Sequence, residues 1–472
     1  DLYELTMMQG YFKTGNNRTV IFDAFHRKNP CDGGYSISCG LDQVIDYINN
    51  LHFTEDDITY LRSLNIFDED FLEYLANFKF TGDIYAIPEG SVMFPKEPIV
   101  KVIAPIMEAQ LVETAILNII NHQSLIATKA ARVCYAAQGD GIMEFGLRRA
   151  QGPDAGIYGA RAAVIAGCIG TSNVLAGQMF NIPVKGTHAH SWIMSFPDEY
   201  TAFKTYADLY PNACILLVDT YDTLRSGVPN AIKVFTEMRN AGIELKGYGI
   251  RLDSGDLAYL TKKARKMLDN AGFEDAIISA SSDLDEYLID SLKTQGAQIT
   301  SWGVGTNLIT SKDNPAFGGV YKLAAVMGDD GKFIPKIKVS ENSEKITNPG
   351  NKTVYRVYDT NGMIKADLIT LADEKYDETE PLLLFDPIET WKKTLLEPGE
   401  YTMREIMVQV FKNGECVYTT PEVMDIQAYC KKELATVWDE TKRLINPQEV
   451  HVDLSKPLYD IKHELLNNYG RD

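Results

Sequence analysis

Between residues 140 and 325 the apolar positions come in short runs. Each run ends in a polar or glycine-bearing segment, and most are followed by a stretch with helical spacing. "GIMEFG" leads into "LRRAQGPDAG", "IPVKG" into "THAHS", and "ACILLVD" into "TYDTLRSG" and "PNAIKVFTEMRNAG". "GYGIRLD" leads into "SGD" and "LAYLTKKARKMLDNAG", "DAIISAS" into "SDLDEYLIDSLKTQG", and "ITSWGVGT" ends the series. Alternation of such strands with helices predicts a parallel sheet, and their number suits an α/β barrel. In such a barrel the loops after the strands build the active site.

The flanks are patterned differently. "RTVIFDAFHRK" alternates as a strand does, "YSISCGLDQVIDYINNL" runs from strand into helix, and "IVKVIAP" is strand-like. The long segment "EAQLVETAILNIINHQSLIATKAARV" has apolar residues every three or four positions, as a helix requires. "TVYRVYD" and "MIKADLITL" flank Asn361-Gly362 and predict a hairpin. The acidic "ADEKYDETEP" has the composition of a boundary, and beyond it come strand-like "REIMVQVF", an Asn413-Gly414 turn and the helical "IQAYCKKELATVWDETKRL". These readings predict an α+β domain over 1–125 joined by 341–384, a barrel over 126–340, and a separate C-terminal domain of unknown role over 385–472.

The 472 residues, 45% of them hydrophobic, are enough for two or three domains of roughly 100–200 residues each. A net charge of −19 argues against a nucleic-acid partner, which wants a basic footprint. The same field repels phosphate-rich substrates at long range, so any phosphate site has to concentrate its cations locally. Seven cysteines, an odd number without a CxxC pair, read as free thiols in a reducing compartment. The chain shows no secretory leader and no apolar run of about 18 residues, and the expectation is a cytoplasmic protein with no membrane partner.

The predicted strand ends carry candidate chemistry. "THAHS" places His188 and His190 on one side of an extended segment. Such a pair could ligate a metal, supply a base or nucleophile, or cap a strand. No third or fourth metal ligand lies close by in sequence. Other strand ends carry Arg148 and Arg149, Asp219, and Arg251 with Asp253 and Asp256. The turn "GVGT" spans Gly303, Gly305 and Thr306. Guanidinium groups suit phosphates and carboxylates, glycine turns let backbone N–H groups approach a phosphate, and carboxylates suit magnesium or ribose hydroxyls. Together they suit a substrate with a pentose, a phosphate and a pyrophosphate.

The segments "DLYELTM", "FGLRRAQGP", "GTHAHS", "LVDTYD", "GIRLDSGDL" and "GVGTNL" run in the order found in nicotinate phosphoribosyltransferases, and the chain resembles that family from residue 1 to about 325. The resemblance implies an irregular α/β barrel packed against an N-terminal sandwich domain. It implies that nicotinate and phosphoribosyl pyrophosphate give nicotinate mononucleotide and pyrophosphate in NAD salvage. This glycosyl transfer is ligase-classified and coupled to hydrolysis of ATP, with Mg2+ as cofactor. It implies that His190 is phosphorylated, that Asp219 and Arg251 are catalytic, and that Arg148 binds substrate. Gly305, flanked by Gly303 and Thr306, matches the phosphate turn. Ser191 and Asp253 are further substrate-binding candidates, and no metal ligands are assigned. Phe145 and Tyr3 are candidates for stacking on the pyridine ring, Tyr3 from the partner of a homodimer with shared active sites. The alternatives are a nicotinamide phosphoribosyltransferase and a non-catalytic nucleotide-binding regulator on the same fold.

Overall fold

Six parallel strands lie in the order Gly170–Thr171, Gly141–Glu144, Ser301–Val304, Ile277–Ala280, Gly249–Leu252, Ile215–Leu217. They belong to the computed structural model of the chain, which describes all residues except 343, 344, 388, 390 and 470–472. Ile250, Leu252, Ile278, Ala280, Trp302 and Val304 are all buried, as the continuous apolar runs require of strands covered on both faces. The intervening helices Leu257–Asn270 and Glu286–Thr294 begin at Asp256 and Asp285, whose carboxylates accept the Tyr259 and Leu288 N–H groups. Gly249 permits close strand pairing: a Cβ there would stand 2.0 Å from the Ile277 carbonyl oxygen.

The sheet has two edges, and both lead to His188. At one edge Val184 forms a parallel bridge with Thr171, and the Lys185 N–H donates to the Thr171 carbonyl at 2.8 Å. Four residues beyond Val184 the chain reaches His188. At the other edge the Val218 N–H donates inward to Arg251 O, so the Leu217 N–H points outward. His188 Nε2 accepts it at 3.4 Å. Among the described residues the two edges share no strand ladder, and one imidazole spans the seam of an irregular barrel. The segment "IPVKG" thus supplies a single bridge instead of a full strand.

The chain divides into two compact units. The first comprises Asp1–Leu125, Ala316–Pro421 and Ala428–Asp472; the strands above belong to the second, Ile126–Pro315 with Glu422–Gln427. This corrects the expected domains at two places. The barrel segment ends near 315 and not at 340, because Gly319–Met327 pairs antiparallel with Thr19–His26. Residues 385–472 are not a separate domain. Val408–Lys412 pairs with Asp83–Ala86, and His451–Leu454 lies between Ile364–Leu371 and Leu382–Phe385.

The first unit holds a seven-stranded antiparallel sheet and a six-stranded mixed sheet. The predicted hairpin is present: Lys352–Tyr358 pairs antiparallel with Ile364–Leu371, and Gly362 sits at φ 78° in the turn. Between the strands, fully buried Arg356 donates to both Asp367 oxygens, at 2.9 and 2.6 Å, and to Glu433 at 3.0 Å. Among the described residues no two cysteines form a disulfide, and Cys39, Cys168, Cys214 and Cys430 are buried. Among the described residues no helix is long and apolar enough to cross a membrane.

Candidate active site

The carboxyl ends of three neighbouring strands meet at His190. Leaving the strand Ile215–Leu217, the chain presents Asp219 and Thr220; leaving Gly249–Leu252, it presents Asp253 and Ser254. Ser281 follows Ile277–Ala280. Asp219 Oδ2 accepts the Asp253 N–H and the Ser254 hydroxyl, both at 2.7 Å, and so ties two strand ends together. Ser281 Oγ donates to Asp253 Oδ1 at 2.5 Å. His190, first residue of the short helix His190–Met194, has Nδ1 3.0 Å from Thr220 Oγ1. Its Nε2 stands 3.7 Å from Asp253 Oδ2 and 4.0 Å from Asp219 Oδ1. The ring is 37% exposed, so an incoming ligand can reach it, whereas the Asp219 side chain is 3% exposed.

His188 and His190 face different tasks. His188 is buried, its ring meets Tyr206 edge-on at 4.6 Å, and burial lowers its pKa to about 4. A neutral ring is what an acceptor of the Leu217 N–H has to be. Its carbonyl accepts from Arg251 Nη2 at 3.0 Å. Arg251 is mostly buried; loss of water lowers its pKa, Arg148 acts in the same direction, and Asp253 and Asp219 oppose them. Among the described residues its buried Nε has no hydrogen-bond partner.

The remaining sequence candidates are placed unevenly. Arg148 is exposed on the turn Leu147–Arg149, close enough to Arg251 to act on its charge. Phe145 packs over Gly303: a Cβ on that glycine would stand 2.7 Å from the ring. This packing accounts for the glycine without a phosphate. Gly305 caps the helix Thr306–Ile309, only four residues long. Ser191 is exposed beside His190. Tyr3 lies in the other unit, on the helix Leu2–Thr14, and is 42% exposed.

Thr220, Ser254, Ser281 and Glu144 are absent from the sequence candidates. Buried Glu144 accepts the Thr171 hydroxyl at 2.6 Å and the Gly146 N–H, holding the start of the arginine turn; burial raises its pKa. A hydroxyl residue next to an acid at a strand end was the available signal for Thr220 and Ser254.

Fold and site define an α/β enzyme whose strand ends present a reachable imidazole between carboxylates and a desolvated arginine. Family models agree along the chain: the nicotinate phosphoribosyltransferase N-terminal domain matches residues 1–121, the family model 141–359, and the C-terminal domain 351–462. The last gives a family counterpart to residues that carry no motif legible in sequence. Nicotinate phosphoribosyltransferase of Bacillus subtilis is 48% identical over 99% of this chain and 94% of its own length. The human one is 30% identical over 98% and 96%. A crystal structure of human nicotinic acid phosphoribosyltransferase superposes with a TM-score of 0.85 at 28% identity, covering 100% of this chain and 99% of that one. The chain belongs to the nicotinate phosphoribosyltransferase family.

Proposed function

We propose that this chain joins nicotinate to the ribosyl carbon of phosphoribosyl pyrophosphate and releases pyrophosphate. The pyridine nitrogen supplies the electron pair of the new bond, and the electrons of the broken C–O bond leave on pyrophosphate. Preset charges at a desolvated site lower the barrier to such charge separation. The observation that carries the reading is the cluster of His190, Asp219, Asp253 and Arg251, in a chain that aligns over nearly its whole length with enzymes of that name. Two arginines, Arg148 and Arg251, favour the acid over the amide, because a guanidinium pairs with a carboxylate.

In this reading His190 couples the reaction to ATP. With its proton on Nδ1, toward Thr220, the Nε2 lone pair attacks the γ-phosphorus. The bond to the bridging oxygen breaks, and ADP leaves with that electron pair. Magnesium fits here: Asp219 Oδ1 is buried without a donor, Asp253 Oδ2 faces the same ring, and these hard oxygens would hold the ion that offsets pyrophosphate charge. Tyr3 reaches the site of a partner copy in a homodimer.

Pyrophosphate release with nicotinate or nicotinamide, each with and without ATP, tests the reaction, its substrate and its coupling. Release with nicotinate that ATP stimulates is expected. Preference for the amide would exchange the substrate. Nucleotide binding without turnover would leave a regulator.

A further inference from the structure

Along the strand His451–Leu454 the side chains alternate. Val452 and Leu454 pack on the large core of the first unit, so His451 and Asp453 take the opposite face. There Ala366 and Leu368, their register partners on the parallel neighbour, belong to a second apolar cluster. On the other side Leu454 pairs antiparallel with Phe385, which places the next residue, Asp386, opposite Asp453. One ligand atom from each of Asp386, His451 and Asp453 lies within 4.8 Å of the other two.

Asp453 makes this more than a polar cluster. It is 4% exposed, and among the described residues its carboxylate has no hydrogen-bond donor and no ion pair. A carboxylate on a residue so little exposed gains from a cation beside it. The nearby ammonium groups are engaged elsewhere, Lys392 on Glu389 and Lys462 on Asn348. Asp386 is already oriented, since its Oδ1 accepts the Glu389 N–H at 2.8 Å.

We propose that Asp386, His451 and Asp453 bind one divalent cation of the zinc or manganese class, fastening two antiparallel strands. An imidazole beside two carboxylates selects these ions over calcium or magnesium, which prefer oxygen alone. Ligands to zinc lie about 2.0–2.2 Å from the ion. His451 is exposed, and one of its ring nitrogens already lies within 4.8 Å of a ligand oxygen on each aspartate. The site uses none of the residues at the barrel strand ends.

The test is equilibrium dialysis of the untagged, chelator-stripped full chain against Zn2+ alone, without substrates or nucleotides. Wild type, His451→Ala, Asp453→Asn and Asp219→Asn are compared. One tightly held ion is expected in wild type and in Asp219→Asn, with at least tenfold weaker binding in the other two. X-ray absorption should show imidazole scattering that His451→Ala abolishes. Should Asp453→Asn fail to fold, exposed His451 still decides the matter. Equal zinc binding by wild type and His451→Ala, or none by wild type, overturns the proposal.

Discussion

His190 Nε2 stands 4.0 Å from Asp219 Oδ1, and that oxygen, although buried, accepts no hydrogen bond among the described residues. The other oxygen holds two donors and cannot turn away. Oδ1 is therefore stationed for positive charge that is absent from the resting protein. That charge comes with a protonated imidazole or with a bound cation.

Asp219→Asn tests this. The amide keeps the shape and one acceptor but loses the charge. Turnover should fall by about 10²-fold, the scale of removing one preset electrostatic partner. The circular dichroism spectrum should not change. Turnover within a factor of two of wild type would count against a charge role.

His190→Asn should abolish acid-labile, base-stable incorporation of label from the γ-phosphate of ATP, together with stimulation by ATP. The lability follows from the phosphoramidate bond, whose nitrogen leaves readily once protonated. Slow synthesis should persist, because Arg251 and Asp253 still hold substrate. His188→Asn should keep the label, since its ring is turned to the Leu217 amide. A labelled, folded His190→Asn protein would remove the phosphohistidine.

Arg251→Ala should cost about 2–5 kcal/mol in substrate binding, the range for truncating one partner of a buried charge pair. Arg251→Lys should recover little, because an ammonium cannot both hold the His188 carbonyl and offer a second N–H as the fork does. Binding measured by calorimetry for the two variants decides. Full recovery in the lysine variant would reduce the role to net charge.

Stability should fall in acid through His188. Burial lowers its pKa to about 4, with Arg251 and His190 adding repulsion, whereas an unfolded histidine titrates near 6.5. Between those values the unfolded chain binds the extra proton, so unfolding becomes easier as the pH drops. The slope is at most about 1.4 kcal/mol per pH unit. His26, also lowered to about 4 by burial, adds to it in the first unit. Urea unfolding from pH 7 to 4.5 should show a shallower pH dependence in His188→Gln than in wild type. Parallel curves would mean that His188 titrates alike in the folded and the unfolded chain.

The strand–helix rhythm was legible because a parallel strand covered on both faces writes a continuous apolar run. Asp219, Arg251 and Asp253 were legible because each ends such a run, and the structure brings them together around His190. The partners of Gly319–Met327 and Val408–Lys412 were not. "REIMVQVF" reads as a strand and Gly319–Met327 carries no such signal, and in both cases a sheet neighbour lies roughly 300 residues away in sequence, which no local pattern names. Thr220 was missed because one hydroxyl after an acid looks like any capping residue. His188 was passed over because its work is done by a ring nitrogen on a backbone amide, which sequence spacing does not encode.

A ladder of backbone bonds yields only when several break together, whereas the His188 ring reaches the Leu217 amide through one bond of 3.4 Å. The same residue lends its carbonyl to Arg251. The barrel thus has a link of one ring nitrogen beside its working groups. A fluctuation that displaces His188 as a whole acts on both bonds, the one to the Leu217 amide and the one to Arg251.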